Sequence, residues 1–125
     1  MKDFYTLKEV CELLNVTRRI VQGYEKKELV HTDHKDKYGH LLYDEEMVKR
    51  IAIVRFYQKM GFELKEIVEL IDCSKDELIN QLNKQLDLIK QEIENRNRDL
   101  KLMKTIVEKI DQKDIFEDLL TIIRR

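Results

Sequence analysis

The chain of 125 residues has no proline, three glycines and two cysteines. Without proline, no ring interrupts a helix by removing an amide donor. There is no glycine-rich phosphate loop and no nucleotide fingerprint. Cys11 and Cys73 make neither a disulfide framework nor a C-x-x-C pair, so a reduced, cytoplasmic protein is the expectation. No basic start followed by an apolar stretch marks a secretory signal, and no apolar run approaches a membrane span. The acidic residues are spread over helix surfaces and no Ser/His/Asp-like arrangement occurs, so an enzyme is not expected and no cofactor is required. His31, His34 and His40 share one polar segment. A structural zinc site wants four ligands and no cysteine lies near them, so they read as polar surface residues and no metal is expected.

What the chain has instead is charge of both signs. Charged residues make up 39% of it, yet the net charge is −1. Residues 1–70 hold 13 Lys+Arg and 13 Asp+Glu. Nucleic-acid-binding domains are usually basic, so any such surface here must segregate its cations onto one face.

The helical signals are local and dense. Thr6 and Glu9 form a capping-box pair ahead of Leu7, Val10, Leu13 and Leu14, which recur at helical spacing. Asn15 marks the break, and Thr17 is placed to cap a second helix. Two short helices joined by a tight break, the second beginning with Arg18 and Arg19, make a helix-turn-helix, whose second helix enters the major groove of DNA. Residues 31–42 lose the helical period, and a turn around Asp36 to Gly39 predicts a two-stranded wing. Asp44 caps a third helix running to about Met60, with Met47, Val48, Ile51, Val54 and Phe56 expected in the core. Gly61 ends it. A fourth helix is expected from Leu64 to Ile71, and Ser74 with Glu77 makes another capping box.

The next segment is different. Ile79, Leu82, Leu86, Ile89, Ile93, Arg96, Leu100, Met103, Val107 and Ile110 alternate in steps of three and four, a heptad seam with one polar intruder. A helix this long with so narrow a stripe needs a partner helix. Arg96 either snorkels to the surface or sets register by pairing with Glu92, Asp99 or their equivalents on the partner. Asp114 to Ile123, carrying Ile115, Phe116, Leu119, Leu120, Ile122 and Ile123, reads as a short amphipathic helix. The expected organisation is a winged helix-turn-helix over 1–73, a coiled-coil dimerisation helix over 74–110 and a tail over 111–125, a mostly α fold.

The strings YTLKEV, QGYE, GHLLY, DEEMVKR and GFELKEI, in this order and spacing, resemble the signature of the MerR family of transcription regulators. The resemblance covers about residues 5–71 by motif and the following helix by architecture. It implies a winged helix-turn-helix with a second helix pair, dimerised through a long antiparallel coiled coil. It also implies a homodimer that binds a pseudo-palindromic promoter site on double-stranded DNA, distorts it, and so acts on RNA polymerase at that promoter. The chain departs from the family pattern at Gln22 and Gly23, where arginine and tyrosine are usual, and at His40-Leu41, where tyrosine and arginine are usual.

Arg18, Arg19 and Gln22 are the candidate base readers, because Arg pairs with guanine and Gln with adenine through two hydrogen bonds. The bland alternative is a solvated helix face. Tyr24 resembles a phosphate-binding tyrosine of the family, or is a core tyrosine with a satisfied hydroxyl. Lys35, Lys37, Tyr38 and His40 on the wing are candidate backbone contacts, or an ordinary polar hairpin tip. Cys11 fits a buried small-residue position. Cys73 stands where thiol- and metal-sensing relatives place part of a sensor, but no cysteine follows it. Two rival functions stay open: a DNA-binding architectural or chromosome-organising protein, and a coiled-coil interaction module whose helix-turn-helix binds protein.

Overall fold

In the computed structural model, residues 3–111 and 115–124 are described. The chain divides into two compact units, residues 1–78 and 79–125.

The first unit opens with a strand that the sequence pattern did not announce. β1 (Phe4–Thr6) pairs antiparallel with β3 (Leu41–Asp44), which pairs on its other edge with β2 (His34–Lys35). Tyr5 lies opposite Tyr43, and His34 opposite Leu42. Three residues are too few to show a period of two, so only the partner strand makes β1 visible.

Helix α1 (Leu7–Leu14) starts on the expected capping box, with Glu9 N donating to Thr6 Oγ1 at 3.2 Å and Thr6 N to Glu9 Oε1 at 3.1 Å. Asn15 closes it in the left-handed region at φ 52°, which a short polar side chain tolerates better than most. Thr17 caps α2 (Arg18–Lys26) by accepting from Ile20 N at 3.2 Å. Asp44 caps α3 (Glu45–Lys59) through Met47 N at 2.8 Å, and Gly61 at φ 101° turns the chain into α4 (Leu64–Leu70).

The core of this unit is built from Val10, Val21, Tyr24, Val30, Tyr43, Ile51, Val54 and Ile67, all essentially inaccessible. Each contributes about 1.5–3 kcal/mol by leaving water. On α1, Leu13 is 59% exposed. One expected core position is corrected: on α3 Phe56 is 54% exposed, while Tyr57 is buried beside Phe62. The buried arc of α3 runs through Val48, Ile51, Val54 and Tyr57, and at 100° per residue Phe56 falls opposite its centre. With Ile53, Met60 and Val68, Phe56 belongs to the exposed apolar residues of α3 and α4.

Helix α5 (Lys75–Glu108) has 34 residues and spans about 51 Å at 1.5 Å per residue. Glu77 N donates to Ser74 Oγ at 3.2 Å at its start. None of its residues is buried. Leu82 and Ile89 are partly covered, but Ile79, Leu86, Ile93, Leu100, Met103 and Val107 stand about half or more exposed, as does Ile110 beyond the helix end. Arg96 pairs with Asp99 at 3.5 Å along the same helix. A short α6 (Phe116–Ile123) follows, and Lys109 Nζ reaches Asp118 Oδ2 at 3.0 Å. Asp114, expected to begin that helix, lies outside the described residues. No helix of the described residues is long and apolar enough to cross a membrane.

Candidate nucleic-acid interface

Helix α2 is held by one face and offers the other. Val21 and Tyr24 are buried, with 0% and 1% exposure, and fix its rotation against the core. That rotation leaves Arg18, Arg19, Gln22 and Lys26 exposed. Arg18 and Gln22 are four residues apart and share a stripe, while Arg19 and Gly23 share the next. Arginine and glutamine on one exposed stripe supply the two bidentate donor–acceptor sets that distinguish guanine and adenine in the major groove.

Of the two readings of Tyr24, the geometry is that of a core tyrosine. Its hydroxyl donates to Gln58 Oε1 on α3. Burial raises its pKa above the usual tyrosine value, and the neighbouring Arg55 guanidinium partly offsets this.

The wing is a short hairpin whose turn is organised by one carboxylate. Asp36 Oδ1 accepts from Tyr38 N at 2.8 Å and His40 N at 2.9 Å, and Oδ2 lies 3.3 Å from His40 Nδ1. Those hydrogen bonds, the His40 amide foremost, hold the Asp36 pKa below the ordinary carboxylate value. Gly39 sits at φ 83°, a conformation that costs a side-chain-bearing residue energy. Lys35, Lys37, Tyr38 and His40 are all exposed, and the Lys37 ammonium stands 5.1 Å over the Tyr38 ring. His40 is thus partly committed to the turn. His34 lies 3.9 Å from Asp44 and against the Phe4 ring, so two of the three histidines have separate carboxylate partners.

The sequence pattern missed the groups that join wing, recognition helix and α3. The Tyr43 hydroxyl, on β3, donates to Glu25 Oε1 on α2. Burial, reinforced by that carboxylate, pushes the tyrosine pKa far above its normal range. Arg50 Nε donates to the Leu29 carbonyl just after α2, and Arg50 Nη1 lies 3.6 Å from Asp72. These contacts tie the exposed face of α2 and the wing to one frame. A signal existed for the α3 side: Arg55 and Gln58 stand four and seven residues after Ile51, polar residues on a face the period turns inward.

Several acids of residues 1–70 are occupied within the unit: Glu25 is bonded to Tyr43, Asp36 builds the turn, and Glu45 and Glu46 pair with Lys49. Among the described residues, Arg18, Arg19, Lys35 and Lys37 have no ion-pair partner, so their charge is available to an external polyanion. Cys73 is half-buried, its thiol donating to the Leu70 carbonyl at 3.0 Å, and Cys11 is likewise only half-buried.

Known proteins share part of this sequence and its fold. The nodulation protein NolA of Bradyrhizobium elkanii is 32% identical over 85 residues, which are 68% of this chain and 38% of NolA. The chain therefore corresponds to well under half of that relative. The HTH-type transcriptional regulator ZntR of Escherichia coli is 24% identical over 110 residues, 86% of this chain and 78% of ZntR. Among solved structures, a MerR-family transcriptional regulator from Bacillus cereus superposes with a TM-score of 0.74 at 22% identity, covering 89% of this chain and 85% of that one. HiNmlR, a MerR family regulator lacking the sensor domain and bound to promoter DNA, superposes with a TM-score of 0.68 at 18% identity, each chain 87% covered. Both superpositions show the shared fold. The model of the MerR HTH family of regulatory proteins matches residues 5–73, the unit that carries the capped helix pair, the wing and the second helix pair. With more than half of its length in that match, the chain belongs to the MerR HTH family of regulatory proteins.

Proposed function

We propose that this regulator binds promoter DNA as a homodimer, with α2 of each protomer in the major groove and each wing on the adjoining backbone. The observation that carries the reading is the setting of α2. Buried Val21 and Tyr24 hold it so that Arg18 and Gln22 stand outward on one stripe, beside a wing whose lysines have no acid partner among the described residues. The half-exposed heptad seam of α5 supplies the reason for two copies. A two-fold dimer reads a pseudo-palindromic site, one half per recognition helix. In line with family membership, the bound site is distorted rather than merely covered, which brings promoter elements into phase for RNA polymerase.

Arg18 reads a base edge and Lys37 meets a phosphate, so their variants differ in kind. Arg18→Ala is expected to cost about 1–3 kcal/mol and to relax preference at one base position in each half-site. Lys37→Ala is expected to weaken all sequences alike and to lower the salt slope by about one per protomer. Titrations on a duplex selected from a random pool and on its scrambled counterpart, at several salt concentrations, read both. Equal loss on the two duplexes for Arg18→Ala makes it a backbone contact. Unchanged binding in both variants moves the function to protein interaction.

A further inference from the structure

The seam of α5 mirrors itself about one point. Ile79 and Ile110, Leu86 and Met103, and Ile93 and Arg96 are each equidistant from the bond between Glu94 and Asn95, and the other seam residues pair in the same way. Two such helices laid antiparallel, with a two-fold axis through that point, set every seam residue level with a seam residue of the other copy. This is the reciprocity that a two-fold interface requires. A slide of one heptad in either direction leaves two apolar seam residues of each copy without a counterpart. They are Ile79 and Leu82 one way, Val107 and Ile110 the other.

Arg96 carries the second observation. It is the charged member of the seam, its side chain is 84% exposed, and its Nη1 lies 3.5 Å from Asp99 Oδ2. Asp99 stands three residues after it and Glu92 four before it, so all three share one flank of the seam. In a parallel pair in register, the two Arg96 would face each other within an apolar layer, like charge against like. In an antiparallel pair like flanks meet, and Arg96 lies level with the partner's Ile93. The partner's Glu92 is then displaced from it by one residue, about 1.5 Å along the axis. Each guanidinium stands between Asp99 of its own helix and the partner's Glu92. Without it, the same flank would bring Glu92 towards the partner's Asp99, two carboxylates with no cation between them.

We propose that α5 docks on α5 of a second copy of this chain, antiparallel and with the two-fold axis between Glu94 and Asn95, and that the contact of Arg96 with the partner's Glu92 selects this orientation and this partner; the proposal rests on the homodimer reading above. The apolar pairs set the register, because this overlap leaves none of them uncovered. The charges select the occupant, because a foreign helix with an equally apolar stripe leaves Arg96 in the seam without its carboxylate.

The test uses the full chain with Cys11→Ser and Cys73→Ser, so that engineered thiols are the only ones. Chains carrying Leu86→Cys and chains carrying Met103→Cys are mixed and oxidised, and the expected product is a disulfide between the two. In the proposed register the two copies of residue 86 lie about 25 Å apart and cannot link. Self-linked Leu86→Cys means a parallel pair, and a link from Leu86→Cys to Ile110→Cys means a shifted register; either overturns the proposal and leaves the dimer standing. With the seam otherwise intact, Arg96→Glu is expected to weaken self-association about tenfold or more in sedimentation. Adding Glu92→Arg to it rebuilds the contact with its charges exchanged and is expected to restore self-association, a rescue that a merely unfolded helix does not show. Mixed with the wild type, this double variant is expected to sort into separate homodimers, because a mixed pair sets arginine against arginine and glutamate against glutamate. Unchanged self-association in Arg96→Glu, failure of the rescue, or free mixing of the two chains overturns the role of Arg96. A wild type that sediments as a monomer removes the homodimer reading and the register with it.

Discussion

Residues 3–78 and helix α5 have similar proportions of aliphatic side chains and opposite fates for them. In the first region Val10, Val21, Ile51 and Ile67 are withdrawn from water completely. In the second, Leu86, Ile93 and Leu100 remain about half exposed. The difference lies in geometry. Short helices with apolar faces on successive sides can be folded against one another by turns at Asn15 and Gly61. A single stripe along about 51 Å of unbroken helix has no such turn and can be covered only by another helix of similar length. One region completes its core within the chain; the other leaves its stripe open for the partner helix proposed above.

The largest effect that sharpens this contrast is expected from the seam. Leu86→Asp or Leu100→Asp forfeits about 1.5–3 kcal/mol of apolar burial per protomer and places a carboxylate in the helix interface. Sedimentation is expected to show monomers or unfolded chain. A stable dimer in either variant breaks the comparison, because the seam would then not be the interface.

Next in size is the bond that joins wing to recognition helix. Tyr43→Phe leaves Glu25 without its phenol donor, and about 1.5–3 kcal/mol is expected to be lost. The change should lower the melting temperature of the first region and leave self-association intact. The wild type carries an alkaline signature as well. The pKa of Tyr43 is raised in the folded state, so its contribution is complete below the unfolded value of 10.0 and is lost as pH rises beyond it. Tyr24 and Tyr57 shift in the same direction, so Tyr43→Phe should reduce the alkaline fall in melting temperature without abolishing it. An alkaline profile identical to wild type removes the coupling from the account.

Gly23→Ala is expected to raise stability by about 1 kcal/mol, since the methyl enters open space on a helix. Chemical denaturation measures it, and a loss of stability would mean that the glycine serves packing after all.

The smallest effect is at the wing turn. The Asp36 pKa is lowered in the folded state, so its contribution is present above the unfolded value of 3.8 and is lost as pH falls through the lower folded value. NMR titration of the Tyr38 and His40 amides is expected to show one midpoint below 3.8 for both. A midpoint at the ordinary value would make the turn independent of that carboxylate.

Wherever a signal lies within a few residues, the sequence carried it. Thr6 with Glu9, Thr17, Asp44 and Gly61 each set a helix end through a contact or backbone angle that depends on near neighbours alone. The heptad repeat of α5 is likewise a property of spacing. The exposed stripe of Arg18 and Gln22 was legible for the same reason, as was the wing.

Tertiary structure decided what depends on partners far along the chain. β1 exists because β3 lies beside it. Tyr57 displaced Phe56 from the core because a helix of mixed composition has two plausible apolar faces until neighbours choose one. Tyr24 meets Gln58 across 34 positions, Tyr43 meets Glu25 across 18, and Arg50 meets the Leu29 carbonyl across 21. Composition and local period are blind to such pairs. Caps and periods are fixed by bonds and angles shared between adjacent residues, whereas the Tyr24–Gln58 bond and the locking of wing to recognition helix arise only when distant polar groups are driven together by burial of the side chains between them.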